Sequence, residues 1–150
     1  MSIEGAFRDQ LLADSKVSTA LGTRVYPNFA PTSADKPYAV YSIEDHEFIE
    51  YMTAPISVAT VDIELRLYSL SAVERDVIST NIRMAIERFD GPMGLYSVNV
   101  RRCKLTRGPL TDVIPPTAND QRGIFTAVMT FSITYRVEIP TRPIIVKAAP

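Results

Sequence analysis

Two short stretches hold the residues of this chain that are most able to do chemistry. In "EDHE" the only histidine, His46, lies between Asp45 and Glu47, and such carboxylates can tune an imidazole as a general base or help it bind a metal. In "RRCK" the only cysteine, Cys103, is flanked by basic side chains, which favour the nucleophilic thiolate. A small hydrolase that uses His46 or Cys103 is therefore a remote alternative function.

Simpler interpretations are favoured for both residues. Consecutive strand residues point to alternate faces, so His46 and its flanking carboxylates cannot all converge, and a solvated loop start is expected. Cys103 is expected to be a small buried residue, because the single histidine is far away in the sequence. Metal-ligand spacing is absent, and the glycines of "DGPMGL" follow a helical pattern instead of preceding one. We predict no catalytic residue, no cofactor and no metal, and hence no enzyme.

Length and composition indicate one folded domain. The 150 residues, with 46% apolar and 22% charged side chains, are enough for a single hydrophobic core. Sixteen basic against seventeen acidic residues give a net charge of -1, too balanced for a protein whose main task is to grip a phosphate backbone. The lone cysteine excludes an intramolecular disulfide and fits a reducing compartment. The first residues resemble no signal or transit peptide, and no apolar run is long enough to predict a membrane span.

The periodicity of apolar residues predicts three helical segments and four strands. An N-terminal helix carries the stripe Ile3, Phe7 and Leu11, and a second turn or short helix stops at Gly22. A central helix runs from the capping box "SAVE" to "DGP". Strands are predicted at about 38–45, 57–70, 96–105 and 125–139, with a long loop at 106–122. The predicted fold class is α+β: a mostly antiparallel sheet of four or more strands, two of them long, packed on one face by the N-terminal and central helices.

The long strands are predicted to extend past their helical cover. A strand of about 13 residues spans roughly 44 Å, whereas a helix of about 19 residues covers only about 29 Å. Sheet margins that project past a small core leave unpaired backbone groups, which a monomer must protect from aggregation. Pairing the margins between subunits would remove that problem.

The strand "VDIELRLYSL" places charge along one face. Its apolar residues alternate with Asp62, Glu64 and Arg66, so these three side chains share the side away from the core. That side faces water, a neighbouring copy of the chain, or a channel enclosed by several copies.

Three other segments are more apolar than solvated segments need to be. Each either folds back or frays as an ordinary loop or terminus, or contacts a partner. The domain is predicted to span residues 1–138, followed by a proline-bracketed arm at 139–150 that could lie along a neighbour as an added strand. The candidate contact residues are Phe48, Ile49, Tyr51 and Met52 near a hairpin tip, Leu110, Val113 and Ile114 in the long loop, and Ile144, Ile145 and Val146 in the arm.

Four segments in order resemble the tail-completion family of tailed bacteriophages and prophage elements. They are "GTRVYPNFAP", "KPYAVYSIED", "VDIELRLYSLSAVERDVISTNIRMAIE" leading to "FDG", and "FTAVMTFSITYRV". The resemblance covers about residues 3–138 and consists of pattern and order, since the family has no catalytic motif to match. The proline-rich stretch 106–122 and the tail after Val137 depart from the family pattern.

The resemblance implies a structural virion protein that acts as a tail terminator. Such a protein forms a ring, expected to be a homohexamer, that caps the head-proximal end of the tail tube, stops its polymerisation and provides the surface that joins tail to head. The implied partners are copies of the chain itself, the tail tube protein, a head-side connector or stopper and, in a contractile tail, the sheath. DNA would be passing cargo only, and no membrane is involved.

A head-tail joining ring of the neck is the alternative function of the same class. The expected location is the neck of the virion, after assembly in the host cytoplasm. In a ring, Asp62, Glu64 and Arg66 would face the adjoining subunit or the channel, where an acidic balance keeps DNA from sticking.

Overall fold

A computed structural model describes residues 3–49, 56–95, 97–116 and 123–138. Three helices lie in this part of the chain: α1 (Ile3–Ala13), α2 (Ser15–Leu21) and α3 (Ala72–Ile86). The carboxylate of Asp14 caps α2 by accepting from the backbone amides of Lys16 and Val17, and Gly22 ends it with φ +60°. Ser71 caps α3 as predicted, but that helix ends at Ile86, earlier than the apolar pattern indicated.

In the described residues six strands form one sheet, in the order β1-β2-β3-β6-β5-β4. The strands are β1 (Val25–Pro27), β2 (Tyr38–Ile49), β3 (Ile56–Ser69), β4 (Gly91–Met93), β5 (Val98–Ile114) and β6 (Ile124–Glu138). Only the β1-β2 pair is parallel, and all others are antiparallel. The predicted α+β class with a mostly antiparallel sheet is confirmed, although four strands are long and not two.

The prediction of a loop at 106–122 is wrong for its first half. Residues 106–114 continue β5, which is 17 residues long and pairs with β6 as far as Ile114. A β-bulge between Arg107 and Leu110 lets the strand pass Gly108 and Pro109 without leaving the ladder. Similarly, β2 extends to Ile49 through a bulge at Glu44, so the segment 46–49 that was predicted to be a connection is strand.

One hydrophobic core lies between the helices and one face of the sheet. The predicted stripe of α1 is buried, and the ring of Phe7 contacts those of Tyr41 on β2 and Phe131 on β6, with centroids 6.2 and 6.0 Å apart. Ile78, Ile82 and Ile86 bring α3 onto the same face. The helices therefore cover a single side of the sheet, as predicted, and within the described part of the chain no helix lies on its other side.

The sheet outruns this cover at the end of the β5–β6 hairpin. Residues 109–116 are all exposed, whereas the core-facing positions of β3 and β6 nearer the middle are fully buried. This observation supports the predicted mismatch between strand and helix lengths. We call the side of the sheet away from the helices the outer face.

Candidate assembly surface

The outer face carries the charged side of β3. Asp62, Glu64 and Arg66 all project from it, as the alternation predicted. Across the sheet, Glu64 is in register with Ser42 on β2, Thr130 on β6 and, one strand further, Arg107 on β5. The predicted residues therefore lie in the middle of the sheet, with charged neighbours that come from other strands.

Glu64 is the centre of a charged cluster on this face. Its residue surface is only 8% exposed, its carboxylate pairs with the guanidinium of Arg66, and the side chain of Glu44 hydrogen-bonds to it. The hydrogen bond with Glu44 and the nearby arginines lower the pKa of Glu64, although burial opposes the shift. The pKa of Glu44 is raised, chiefly by the same hydrogen bond, so Glu44 is the member of the pair that binds a proton first as the pH falls. Glu64 is thus held within its own subunit.

Asp62 differs from Glu64 because its carboxylate makes no hydrogen bond or ion pair among the described residues. It is opposite Asp45 on β2 and Ser132 on β6, and it is half-buried. Of the two carboxylates predicted to meet a neighbour or a channel, Asp62 is the one whose charge is not already matched.

Charge is divided between the two sides of the outer face. Acidic residues predominate on β2 and β3, where Arg66 is the exception, and basic residues predominate on β5 before Gly108, with Asp112 further along that strand. β6 separates the two groups with a row of hydroxyl side chains. The acidic group is Glu44, Asp45, Glu47, Asp62 and Glu64, the basic group is Arg102, Lys104 and Arg107, and the hydroxyl row is Thr126, Thr130, Ser132 and Thr134. Two such surfaces attract each other when the acidic side of one copy meets the basic side of the next.

Both margins of the sheet are open over much of their length among the described residues. β1 pairs only with Ala39–Tyr41, which leaves Ser42–Ile49 of β2 without a neighbouring strand on that side. β4 pairs only with Val98–Val100, and the amide of Arg88 donates to the carbonyl of Cys103 at 2.9 Å, so β5 is open from Lys104 to Ile114. Local carboxylates accept from two backbone amides in these segments, Asp45 from His46 and Asp112 from Val113.

A chain from a gene transfer agent virion has a similar fold. Among the solved structures, a chain of "Virion of native gene transfer agent (GTA) particle" matches with a TM-score of 0.58 and 13% identity, over 89% of this chain and 95% of that chain. At this identity the likeness establishes the fold alone. No family model matches the sequence, and neither does any curated protein.

The candidate contact residues are only partly described. Phe48 is 55% exposed and stacks on His46, while Leu110, Val113 and Ile114 are 46%, 46% and 42% exposed. The last three lie in β5 and not in a loop, because the bulged strand continues through them. For Ile49 the backbone position in β2 is described, and its side chain is not. Tyr51, Met52 and the arm residues Ile144, Ile145 and Val146 lie outside the described residues.

His46 and Cys103 are not brought together. Their strands are separated by β3 and β6, so three strand spacings of about 4.8 Å put them about 14 Å apart. His46 lies within β2 and not at a loop start, and its Nε2 is 2.6 Å from the hydroxyl of Tyr135. Cys103 is buried, as predicted, and burial raises the pKa of its thiol to about 12, the opposite of the shift that a nucleophile needs.

The described residues contain neither a metal-binding cluster nor a membrane-spanning helix. No group of three or more histidine, cysteine, aspartate or glutamate side chains there has a geometry suited to a metal ion. None of the helices in the same residues is both long and apolar enough to cross a membrane.

An apolar stripe on α3 was missed by the sequence analysis. Val73, Val77 and Met84 are 73%, 54% and 72% exposed, on the side of the helix away from the core. The sequence pattern did not reveal these residues as exposed. Val77 and Ile78 are adjacent, and helical periodicity alone did not decide which of the two faces the core. Ile78 does.

Replacing Glu44 with glutamine is expected to stabilise the protein at neutral pH. Glutamine keeps a hydrogen-bond donor for Glu64 but cannot ionise, whereas the raised pKa of Glu44 means that its stabilising protonated form is lost as the pH rises. The gain should be near zero at pH 4 and grow toward pH 7, to roughly 0.2–1 kcal/mol. Urea unfolding at several pH values measures it. Glu47→Gln, at an exposed position of the same strand, is the control and should show no such growth. A gain that does not increase with pH would refute the proton assignment.

Proposed function

We propose that this chain is a structural virion protein that acts as a tail terminator. It forms a homohexameric ring on the head-proximal end of a tail tube, stops the tube from growing and presents a surface for the head-side connector. The observation that carries the proposal is the fold likeness to a chain of a gene transfer agent virion, which spans 95% of that chain. The sequence resemblance to tail-completion proteins supports the more specific role.

The surface described above suits a ring. A closed ring needs a heterologous interface, in which one patch contacts a different patch on the next copy. The outer face has an acidic side and a basic side, and the sheet has two open margins that differ from each other. In such a ring Asp62, Glu64 and Arg66 face the central channel or the adjoining subunit. The exposed stripe Val73, Val77 and Met84 is on the opposite layer of the molecule and is available to a different partner.

A tube-capping experiment tests the proposal. The purified chain is labelled with gold and mixed with tubes assembled from a tail tube protein of the same phage or prophage. The mixture is viewed by electron microscopy. We expect label at one end of each tube, and shorter tubes when the chain is present during polymerisation. Tubes mixed with an unrelated protein of similar mass serve as the control.

The outcomes separate the two neck functions. Binding to isolated connectors or heads but not to tubes would replace the terminator by the head-tail joining ring. An absence of binding to tubes, connectors and heads would reject both functions.

A further inference from the structure

The two open margins of the sheet are suited to each other. The open part of β2 is acidic through Glu44, Asp45 and Glu47, and the open part of β5 is basic in its first half through Lys104 and Arg107, with Asp112 further along. We propose that the open edge of β2 in one copy pairs with the open edge of β5 in the next, so that the subunit sheets join into one closed sheet. This inference rests on the proposed ring and identifies the contact that builds it.

Strand direction favours this pairing. From β2 to β5 every neighbouring pair in the sheet is antiparallel, so β2 and β5 run in opposite directions. Copies related by rotation about a ring axis would therefore place β2 of one antiparallel to β5 of the next. The alternation of the sheet continues across the boundary, in the stronger of the two pairing modes.

The positions of the open segments set the stagger between copies. The open part of β2 is level with Thr130–Arg136 of β6, and the open part of β5 is level with Ile124–Ser132. The midpoints of these two open segments differ by about five residues, or about 17 Å along the strand direction. In the joined sheet each copy contributes the four strands β2, β3, β6 and β5, so the sheet repeats every four strand spacings, or about 19 Å. These two lengths give a strand tilt of about 42°, within the roughly 35–45° range of closed sheets. The short strands β1 and β4, which cover the other parts of the margins, thus position neighbours for closure.

The same stagger identifies a charge pair. Residues directly opposite each other share a face, so the stagger is an even number of residues, and a stagger of about four residues, with a tilt of about 35°, lies within the same range. It brings Glu47 of one copy opposite Arg107 of the next, both on the outer face, so the Glu47 carboxylate meets the Arg107 guanidinium. In this ring the helices lie on the outside. The outer face of each sheet, which is the side away from the helices, therefore lines the central channel, and Asp62 faces the lumen.

A charge exchange tests the pairing. Glu47→Arg and Arg107→Glu should each raise the concentration needed for ring formation at least tenfold, as followed by light scattering in the presence of tubes. The double variant, which restores the pair between copies, should assemble close to the wild type. Arg101→Glu, next to the part of β5 covered by β4, is the matched control and should have little effect.

Arg107→Glu places another carboxylate near Glu64, and this repulsion destabilises the variant itself. A second measurement therefore avoids that substitution. Cysteines at positions 47 and 107, in a Cys103→Ala background, should oxidise to a ladder of covalent oligomers that ends at the full ring. A disulfide within one copy is excluded, because the two margins are three strand spacings or about 14 Å apart.

The results separate this inference from the proposed function. The edge pairing would be overturned if the wild type forms rings on tubes, both single charge variants form them at the same concentration, and the cysteine variant gives no covalent ladder. The terminator role would then remain intact. A double variant that stays dissociated and gives no ladder would also overturn the edge pairing. A wild type that never forms rings, even on tubes, would overturn the proposed function itself.

Discussion

Phe131→Ala is expected to lower the free energy of unfolding by about 3–5 kcal/mol. Phe131 is fully buried in the middle of β6, and its ring contacts the ring of Phe7 on α1 across the core. Truncation removes that contact and leaves a cavity that the flanking β3 and β5 backbones cannot fill, because both are fixed in the sheet. For a chain of this size the melting temperature should fall by about 10 °C or more.

Chemical denaturation of the monomer measures this loss. Phe29→Ala is the matched control: it removes the same atoms from a side chain that is 78% exposed, and it should change the unfolding free energy by less than about 0.5 kcal/mol. Phe131→Leu should recover much of the lost stability, because most of the volume is restored. A loss below about 1 kcal/mol for Phe131→Ala would mean that α1 does not pack on the sheet through this residue.

The elements with uninterrupted periodicity could be predicted from the sequence. In β3 the residues Val61, Ile63, Leu65 and Leu67 alternate without a break, and all four are fully buried. The β6 pattern is equally regular, and the Ser71 cap fixes the start of α3. In these segments local sequence and tertiary packing agree, so pattern alone was sufficient.

The margins of the sheet could not be predicted in the same way. Bulges shift the register of β5 after Val100, Leu105 and Arg107, so inward and outward residues no longer alternate with period two. The bulge at Glu44 does the same in β2. β1 and β4 are three residues long, too short to show any period. Proteins use bulges and short strands to protect the exposed edges of sheets. The segments whose structure could not be predicted from the sequence are therefore the edge segments, where a partner would bind.

The candidate surface was predicted only within one strand. Alternation placed Asp62, Glu64 and Arg66 on a common face, but it could not show that Glu44 and Arg107 join them from strands 20 and 43 residues away in the sequence. Those neighbours depend on cross-strand register. They change the interpretation of Glu64, whose charge is matched within its own subunit by Arg66, and leave Asp62 as the carboxylate that is free to act outward.

Gly108→Ala is expected to release the open end of β5. Gly108 has φ +87°, and an added Cβ would overlap the carbonyl oxygen of Val128 and come within 2.9 Å of the amide nitrogen of Leu110. Both obstacles are backbone atoms of the β5–β6 ladder, so the bulge must open to make room. We expect a loss of at least about 2 kcal/mol, and hydrogen exchange at residues 110–114 should accelerate while the β2–β3 pair stays protected.

Gly91→Ala separates the two causes of that loss. Gly91 also has a positive φ, +115°, but an added Cβ there meets nothing within 4 Å, so this variant shows the cost of the backbone conformation alone. Equal losses of unfolding free energy for the two variants would mean that opening the bulge at Gly108 adds nothing to the cost of the backbone conformation. A larger loss for Gly108→Ala, accompanied by a failure to form rings on tubes, would show that the hairpin must be held in register before it can meet a neighbour. A Gly108→Ala protein that loses this protection and still closes into rings would show that the distal half of β5 is not part of the subunit contact.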